Sequence, residues 1–152
     1  MSLEILFIED NPHKRLRTAE FVTSLNSKIN ITEACSFTSG IQALENKNFP
    51  LILLDISLPT YDKIASEAGG RFRTLAGREI ARKIMREKIN SKIIFITQYA
   101  TFSDKGASYT FEELKIELSK ECGPQFAGMV FYDSSQSAWK ETIMKVIKAM
   151  ME

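Results

Sequence analysis

Four consecutive apolar residues, Leu51-Ile52-Leu53-Leu54, run straight into a charge at Asp55. An extended chain points alternate side chains to opposite faces, so this segment is apolar on both. Such a strand is stable where helices cover both faces, at the centre of a parallel sheet. Lys92-Ile93-Ile94-Phe95-Ile96-Thr97 repeats the pattern. Leu3-Glu4-Ile5-Leu6-Phe7-Ile8 approaches it and ends in Glu9-Asp10-Asn11-Pro12. The chain therefore needs amphipathic helices between these strands, on both sides of the sheet.

The helices stand at suitable intervals. Asn11 or Asp10 can cap a helix starting at Pro12, with Leu16, Ala19, Val22 and Leu25 at spacing three beside Phe21. A strand is predicted over Ile29 to Cys35 and a short helix over Ser39 to Asn46. Two further helices are predicted, over Ala76 to Lys88 (Ile80, Ile84, Met85) and Phe111 to Glu121 (Phe111, Leu114, Leu118). A last strand near Ala127 to Tyr132 precedes a helix carrying Trp139, Ile143, Val146, Ile147 and Met150. That is βα five times in 152 residues, a single domain spanning 1–152 with a parallel sheet.

Composition excludes several classes. A net charge of +1 provides no global field for nucleic acid or an anionic membrane. No apolar run approaches the ~18 residues of a membrane span. The N-terminus shows no basic region followed by a long apolar stretch, so the expected address is the cytoplasm. The two cysteines, Cys35 and Cys122, make no disulfide framework and are expected to be reduced. The sole histidine, His13, has no second nitrogen or sulfur ligand to share a metal with and reads as a surface residue.

Ligands of open α/β sheets bind outside the carboxyl ends of the strands. Glu9, Asp10, Asp55 and Thr97 stand there. Crowded carboxylates repel one another and need a cation, and an all-oxygen donor set favours Mg²⁺. With Mg²⁺ bound, Asp55 can act as a carboxylate nucleophile toward phosphorus, and the Thr97 hydroxyl can hydrogen-bond a phosphoryl oxygen. A blander reading makes these acids helix caps. It accounts for Asp10 but not for Asp55, which Ile56-Ser57-Leu58-Pro59 follows rather than a helix.

These segments resemble the receiver domain of response regulators. Ile8-Glu9-Asp10-Asn11-Pro12 is similar to the family's acidic pair with its trailing proline. Leu51 to Pro59 is similar to the phosphoacceptor strand and its loop, and Phe95-Ile96-Thr97-Gln98-Tyr99-Ala100 to the strand ending in a hydroxyl residue. The resemblance covers nearly the whole chain. It implies a flavodoxin-like (βα)5 fold, a doubly wound parallel five-stranded sheet in the order 2-1-3-4-5. Asp55 would accept a phosphoryl group from a histidine kinase or phosphotransfer protein, and Thr97 would sense it. Mg²⁺ would be held by Asp10, Asp55 and the Ser57 backbone carbonyl, with Glu9 acting through a water. The resemblance implies a signalling switch rather than an enzyme. It would have an output partner the sequence does not name, with a homodimer left open, and no contact with nucleic acid or membrane.

The chain also departs from the family. Receivers carry a lysine at the end of the last strand, against the phosphoryl group. Here the region reads Val130-Phe131-Tyr132-Asp133, so Tyr132 or Asp133 holds that place; the usual proline is missing, and Lys140 lies well into the last helix. Met129 or Val130 stands at the aromatic switch position, and Gln98 is expected to crowd the site beside Thr97. Loops at about 59–75 and 98–109 are enlarged, both at the carboxyl edge. Residues 61–88 hold eight basic and four acidic residues, a local charge of +4. The first loop reads either as a lid or as a solvated insertion. A lid would lend the site Lys63, Arg71 or Arg73, or Lys105 would come from the second loop.

Two functions stay open, a phosphoacceptor and a pseudo-receiver that keeps the fold as an interaction module with little or no phosphorylation. A Mg²⁺-dependent phosphohydrolase is disfavoured. Haloacid-dehalogenase-like enzymes need a second aspartate two residues past the nucleophile, where this chain has Ser57.

Overall fold

The computed structural model describes residues 2–64 and 68–152. Positions 65–67 of the first enlarged loop, including Glu67 of the charge count, lie outside the described residues. The chain runs β1 (Leu3–Ile8), α1 (Pro12–Ser24), β2 (Ile29–Ala34), α2 (Phe37–Asn46), β3 (Leu51–Asp55), β4 (Leu58–Pro59), β5 (Phe72–Arg73) and α3 (Ala76–Arg86). It continues through β6 (Lys92–Thr97), β7 (Thr101–Asp104), β8 (Ala107–Thr110), α4 (Phe111–Cys122), β9 (Phe126–Phe131) and α5 (Ala138–Met151). The five long strands form one parallel sheet in the order β2-β1-β3-β6-β9, which is the expected doubly wound order.

Strand alternation divides the central side chains between two cores. Leu6, Ile8, Ile52, Leu54, Ile93 and Phe95 pack with Leu44, Ile80, Ile84, Leu114 and Leu118 under α2, α3 and α4. Ile5, Phe7, Leu51, Leu53, Ile94 and Ile96 pack with Val22, Trp139, Ile143 and Ile147 under α1 and α5. Every residue of β3 is buried, as its two-faced apolarity requires. No helix among the described residues is long and apolar enough to cross a membrane.

At the β9 edge the register with β6 shifts between Ile93 and Ile94, so Ile94 pairs with Gly128 and Ala127 is the extra residue. Gly128 has a φ of 150°, and a Cβ there would lie 2.8 Å from the Thr142 methyl on α5. The glycine thus serves both the bulge and the close approach of α5.

Helix α1 buries the expected stripe only in its second half, where Val22 is buried and Phe21 and Leu25 pack against the core. Leu16 is 59% exposed, whereas Lys14, Thr18 and Val22 face inward. The start of the helix sets this face. Asn11 is the cap, its Oδ1 accepting from His13 N at 3.0 Å and Lys14 N at 3.1 Å. Asp10 does not cap.

Both enlarged loops contain secondary structure. In the first, β4 pairs antiparallel with β5, and the Thr60 and Tyr61 amides bond the Arg71 and Gly69 carbonyls at 3.1 and 2.9 Å. Thr38 N donates to Thr60 O at 2.9 Å and Ser36 Oγ to Asp62 at 2.6 Å, fixing the insertion to the start of α2. The second is the β7–β8 hairpin, which sends Phe102 into the core. These short, mostly polar strands lack the apolar run that marks a sheet strand, so sequence periodicity does not reveal them.

Arg78 of α3 is nearly buried and clamps α4, bonding Glu117 at 2.6 Å and also Glu121. Burial pushes the Glu121 carboxyl up, but hydrogen bonds from Arg78 and Arg82 hold it below its ordinary range. Arg78→Met is expected to cost about 1–2 kcal/mol near neutral pH, the partly exposed glutamates moderating the loss. Because Glu121 is depressed in the folded state, the contribution is present above the ordinary carboxylate range and fades as pH falls through the folded value. Denaturant unfolding of both proteins at neutral and acid pH measures this; an equal gap at both would contradict it.

Candidate functional site

The carboxyl ends of β1 and β3 are neighbours in the sheet, and this adjacency brings the acids together. Glu9 and Asp10 follow β1, and Asp55 closes β3. One carboxylate oxygen from each of Glu9, Asp10 and Asp55 lies within 4.8 Å of the others. Glu9 and Asp55 are fully buried and Asp10 is half-buried at the rim. Glu9 Oε2 accepts from the Asn11 amide at 3.1 Å. Glu9 Oε1 and both Asp55 oxygens have no hydrogen-bond donor among the described residues.

A cation that sequence reasoning missed enters this cluster. Lys14 is 2% exposed, and its Nζ lies 2.6 Å from Glu9 Oε1 and 3.6 Å from Asp55 Oδ1. The Glu9 contact is an ion pair off the hydrogen-bond direction. The well-directed bonds go to Gln98 Oε1 at 2.7 Å and the Ile96 carbonyl at 3.2 Å. Gln98 therefore holds the ammonium rather than simply crowding the site. The Tyr132 ring stands 5.9 Å from the same Nζ. The available signal in the sequence was Lys14's position four residues before Thr18 and eight before Val22, on the buried face. A lysine is ordinarily assigned to solvent, and that default hid it.

Burial pushes the Asp55 carboxyl well above its ordinary range; Lys14 opposes this, while Glu9 and Asp10 reinforce it. In the buried part of the cluster Glu9 and Asp55 face one ammonium, so one negative charge stays uncompensated. Buried charge of that kind is costly unless it is paired or coordinated. An all-oxygen set with donor-free oxygens fits a hard divalent cation such as Mg²⁺.

The remaining predicted residues lie at several places in the fold. Thr97 is fully buried at the end of β6, its Oγ1 accepting from the Tyr99 amide at 3.1 Å. Ser57 is buried behind Asp55, with its Oγ donating to the Thr74 carbonyl at 2.6 Å. Met129 and Val130 are buried in opposite cores. His13 is exposed. Cys35 and Cys122 are free, and burial pushes the Cys122 thiol up to about 11.

Of the candidate lid cations, Lys63 alone reaches a carboxylate of the cluster among the described residues. Lys63 reaches the outer oxygen of Asp10 at 3.5 Å, from solvent. Arg73 pairs with Glu79 at 3.0 Å and lies 4.3 Å over the Phe37 ring. Arg71, Arg73 and Lys105 line a separate cleft of about 540 Å³, to which Glu9, Asp10 and Asp55 do not contribute. Lys140 sits over the Phe21 and Trp139 rings.

No family model matches the chain. It is 30% identical over 147 residues to the Detocs response regulatory protein DtcB of Enterobacter cloacae, covering 95% of this chain and 98% of that one. It is 28% identical over 143 residues to the uncharacterized protein y4jR of Sinorhizobium fredii, covering 93% and 94%. Among solved structures, the CheY-like receiver domain protein of Methanospirillum hungatei superposes with a TM-score of 0.66 at 17% identity, over 99% of this chain and 94% of that one. The response regulator TrrA of Thermotoga maritima, solved with Mg²⁺ and beryllofluoride, gives 0.63 at 20% identity over 95% and 98%.

Proposed function

Because the chain belongs to the response-regulator receiver family, we propose that it is a signalling receiver that binds Mg²⁺ and accepts a phosphoryl group on Asp55. The observation that carries this reading is Asp55 itself. A fully buried carboxylate with two donor-free oxygens, beside two more carboxylates, is poorly suited to a purely structural role. It is well suited to a cation and an incoming phosphorus. The TrrA complex supports the same pairing by analogy of fold.

In this reading Asp10, Asp55 and the Ser57 carbonyl would hold Mg²⁺, with Glu9 acting through a water, and the bound ion would neutralise phosphoryl oxygens. An Asp55 oxygen donates its electron pair to phosphorus. The bond from phosphorus to the donor breaks, and its electron pair departs with the donor, an imidazole when a histidine kinase or phosphotransfer protein is the source. Thr97 Oγ1 already accepts from Tyr99, so its proton is free for a phosphoryl oxygen. The domain resides in the cytoplasm with its kinase and passes the signal to an output partner.

A second reading draws on Lys14. If this lysine permanently takes the cation's place, the domain is an interaction module that needs neither Mg²⁺ nor phosphate. Beryllofluoride with MgCl₂, followed by ¹⁹F NMR, separates the two. The phosphoacceptor is expected to give bound-fluoride resonances that vanish on removing Mg²⁺. Absence of both Mg²⁺ binding and an adduct would establish the second reading.

A further inference from the structure

We propose that Lys14, entering from α1, is the cation that meets the phosphoryl group on Asp55 and so does the work of the lysine that the end of β9 lacks. The proposal rests on the phosphoacceptor reading above and names the residue that completes it.

Lys14 is held as a functional group is held. Its whole stem is buried under the start of α1, which the Asn11 cap fixes. Two neutral acceptors at the end of β6, Gln98 Oε1 and the Ile96 carbonyl, hydrogen-bond Nζ, and the Glu9 carboxylate pairs with it at 2.6 Å. The ammonium is therefore aimed along the carboxyl edge, 3.6 Å from Asp55 Oδ1. That is too long for a hydrogen bond but adjacent to where a phosphoryl group on Asp55 would carry its three acceptor oxygens. A lysine suits the task because its compact ammonium has three donors that can turn from one oxygen to another.

The other cations have other partners or places. Arg73 is spent on Glu79 and Phe37, Lys140 lies over two aromatic rings, and Lys63 stays at the solvent side of Asp10. At the end of β9 the Tyr132 ring stands 5.9 Å from Nζ. The positive charge stands on α1, and the end of β9 holds none.

During transfer the new O–P bond uses an Asp55 electron pair, and the broken bond's pair leaves on the donor, acetate in the case of acetyl phosphate. Lys14 neither gives nor takes a proton. It stays an ammonium and binds phosphoryl oxygens as charge gathers on them.

The test compares wild type with Lys14→Met, which keeps the stem length and removes the charge. Mg²⁺ affinity is read from intrinsic fluorescence, and beryllofluoride affinity in MgCl₂ from ¹⁹F NMR. Loss of one charge-assisted contact is expected to weaken beryllofluoride about tenfold to a hundredfold. Mg²⁺ affinity is expected to hold or rise, since a neighbouring positive charge is gone. A merely structural lysine would not split the two readouts. Wild-type affinity for beryllofluoride in Lys14→Met overturns the proposal and leaves Asp55 as the acceptor. No adduct on wild type, with Mg²⁺ bound, overturns the phosphoacceptor reading and this proposal together. Should Lys14→Met not fold, the Lys14 ¹³Cε resonance of wild type decides. It is expected to shift when beryllofluoride joins Mg²⁺, and an unmoved resonance overturns the role.

Discussion

Asp55→Asn is expected to make the protein more stable in the absence of divalent cations, by about 1–3 kcal/mol near neutral pH. The change keeps shape and volume while removing a fully buried charge whose two oxygens have no hydrogen-bond donor. Lys14 stays paired with Glu9, so no new unpaired ammonium appears. The pH dependence has a definite sign. Burial raises the Asp55 carboxyl in the folded state, so the unfolded chain ionises first as pH rises. Wild type therefore loses stability relative to the variant from about pH 4 upward. The gap widens until pH passes the raised folded value and is constant above it. Below about pH 4 both states are protonated and the gap closes. Mg²⁺ should reverse the order, because it binds the folded wild type and the variant lacks one ligand charge. Urea unfolding at acid and neutral pH, with EDTA or MgCl₂, measures all four corners. A variant less stable than wild type in EDTA at neutral pH would show that Lys14 already compensates Asp55, and would falsify the account of a cation-demanding site.

Such a result would also bear on how the site can be read from residues alone. The sheet was legible because Leu51 to Leu54 and Ile93 to Ile96 admit burial on both faces and little else. The acids were legible because strand ends at a carboxyl edge are where α/β sheets place ligands. Lys14 was not legible, for a physical reason. Periodicity assigns a helix face by hydrophobicity, whereas α1 turns a lysine inward because Glu9, Gln98 and Ile96 offer it acceptors. Those partners come from positions 5 to 84 residues away, and no local pattern encodes them. The β4–β5 and β7–β8 pairs escaped for a related cause. Their order comes from backbone bonds such as Thr38 N to Thr60 O rather than from an apolar run.

Gly77→Ala is expected to destabilise the fold and loosen the site together. Gly77 is the second residue of α3, and its amide donates to the Ile56 carbonyl at 2.8 Å. A Cβ there would lie 2.4 Å from the Asp55 carbonyl oxygen and 3.0 Å from Ile56 Cα. Both neighbours are backbone at the end of the central strand, so neither can turn aside as a side chain could. Helix propensity alone would favour alanine by about 1 kcal/mol, so the sign of the effect decides between propensity and packing. Overpacking against fixed backbone outweighs propensity, for a net loss of about 2 kcal/mol or more. In a domain of this size that lowers the melting temperature by about 4–8 °C. Helix α3 can relieve the clash only by moving away from β3, which pulls on the Ile56-Ser57 link behind Asp55. Beryllofluoride binding at temperatures where the variant is folded is therefore expected to weaken as well. Thermal unfolding and ¹⁹F NMR on the same samples report the two effects. A variant as stable as wild type would show that α3 is free to shift, and would remove the argument that this contact positions Asp55.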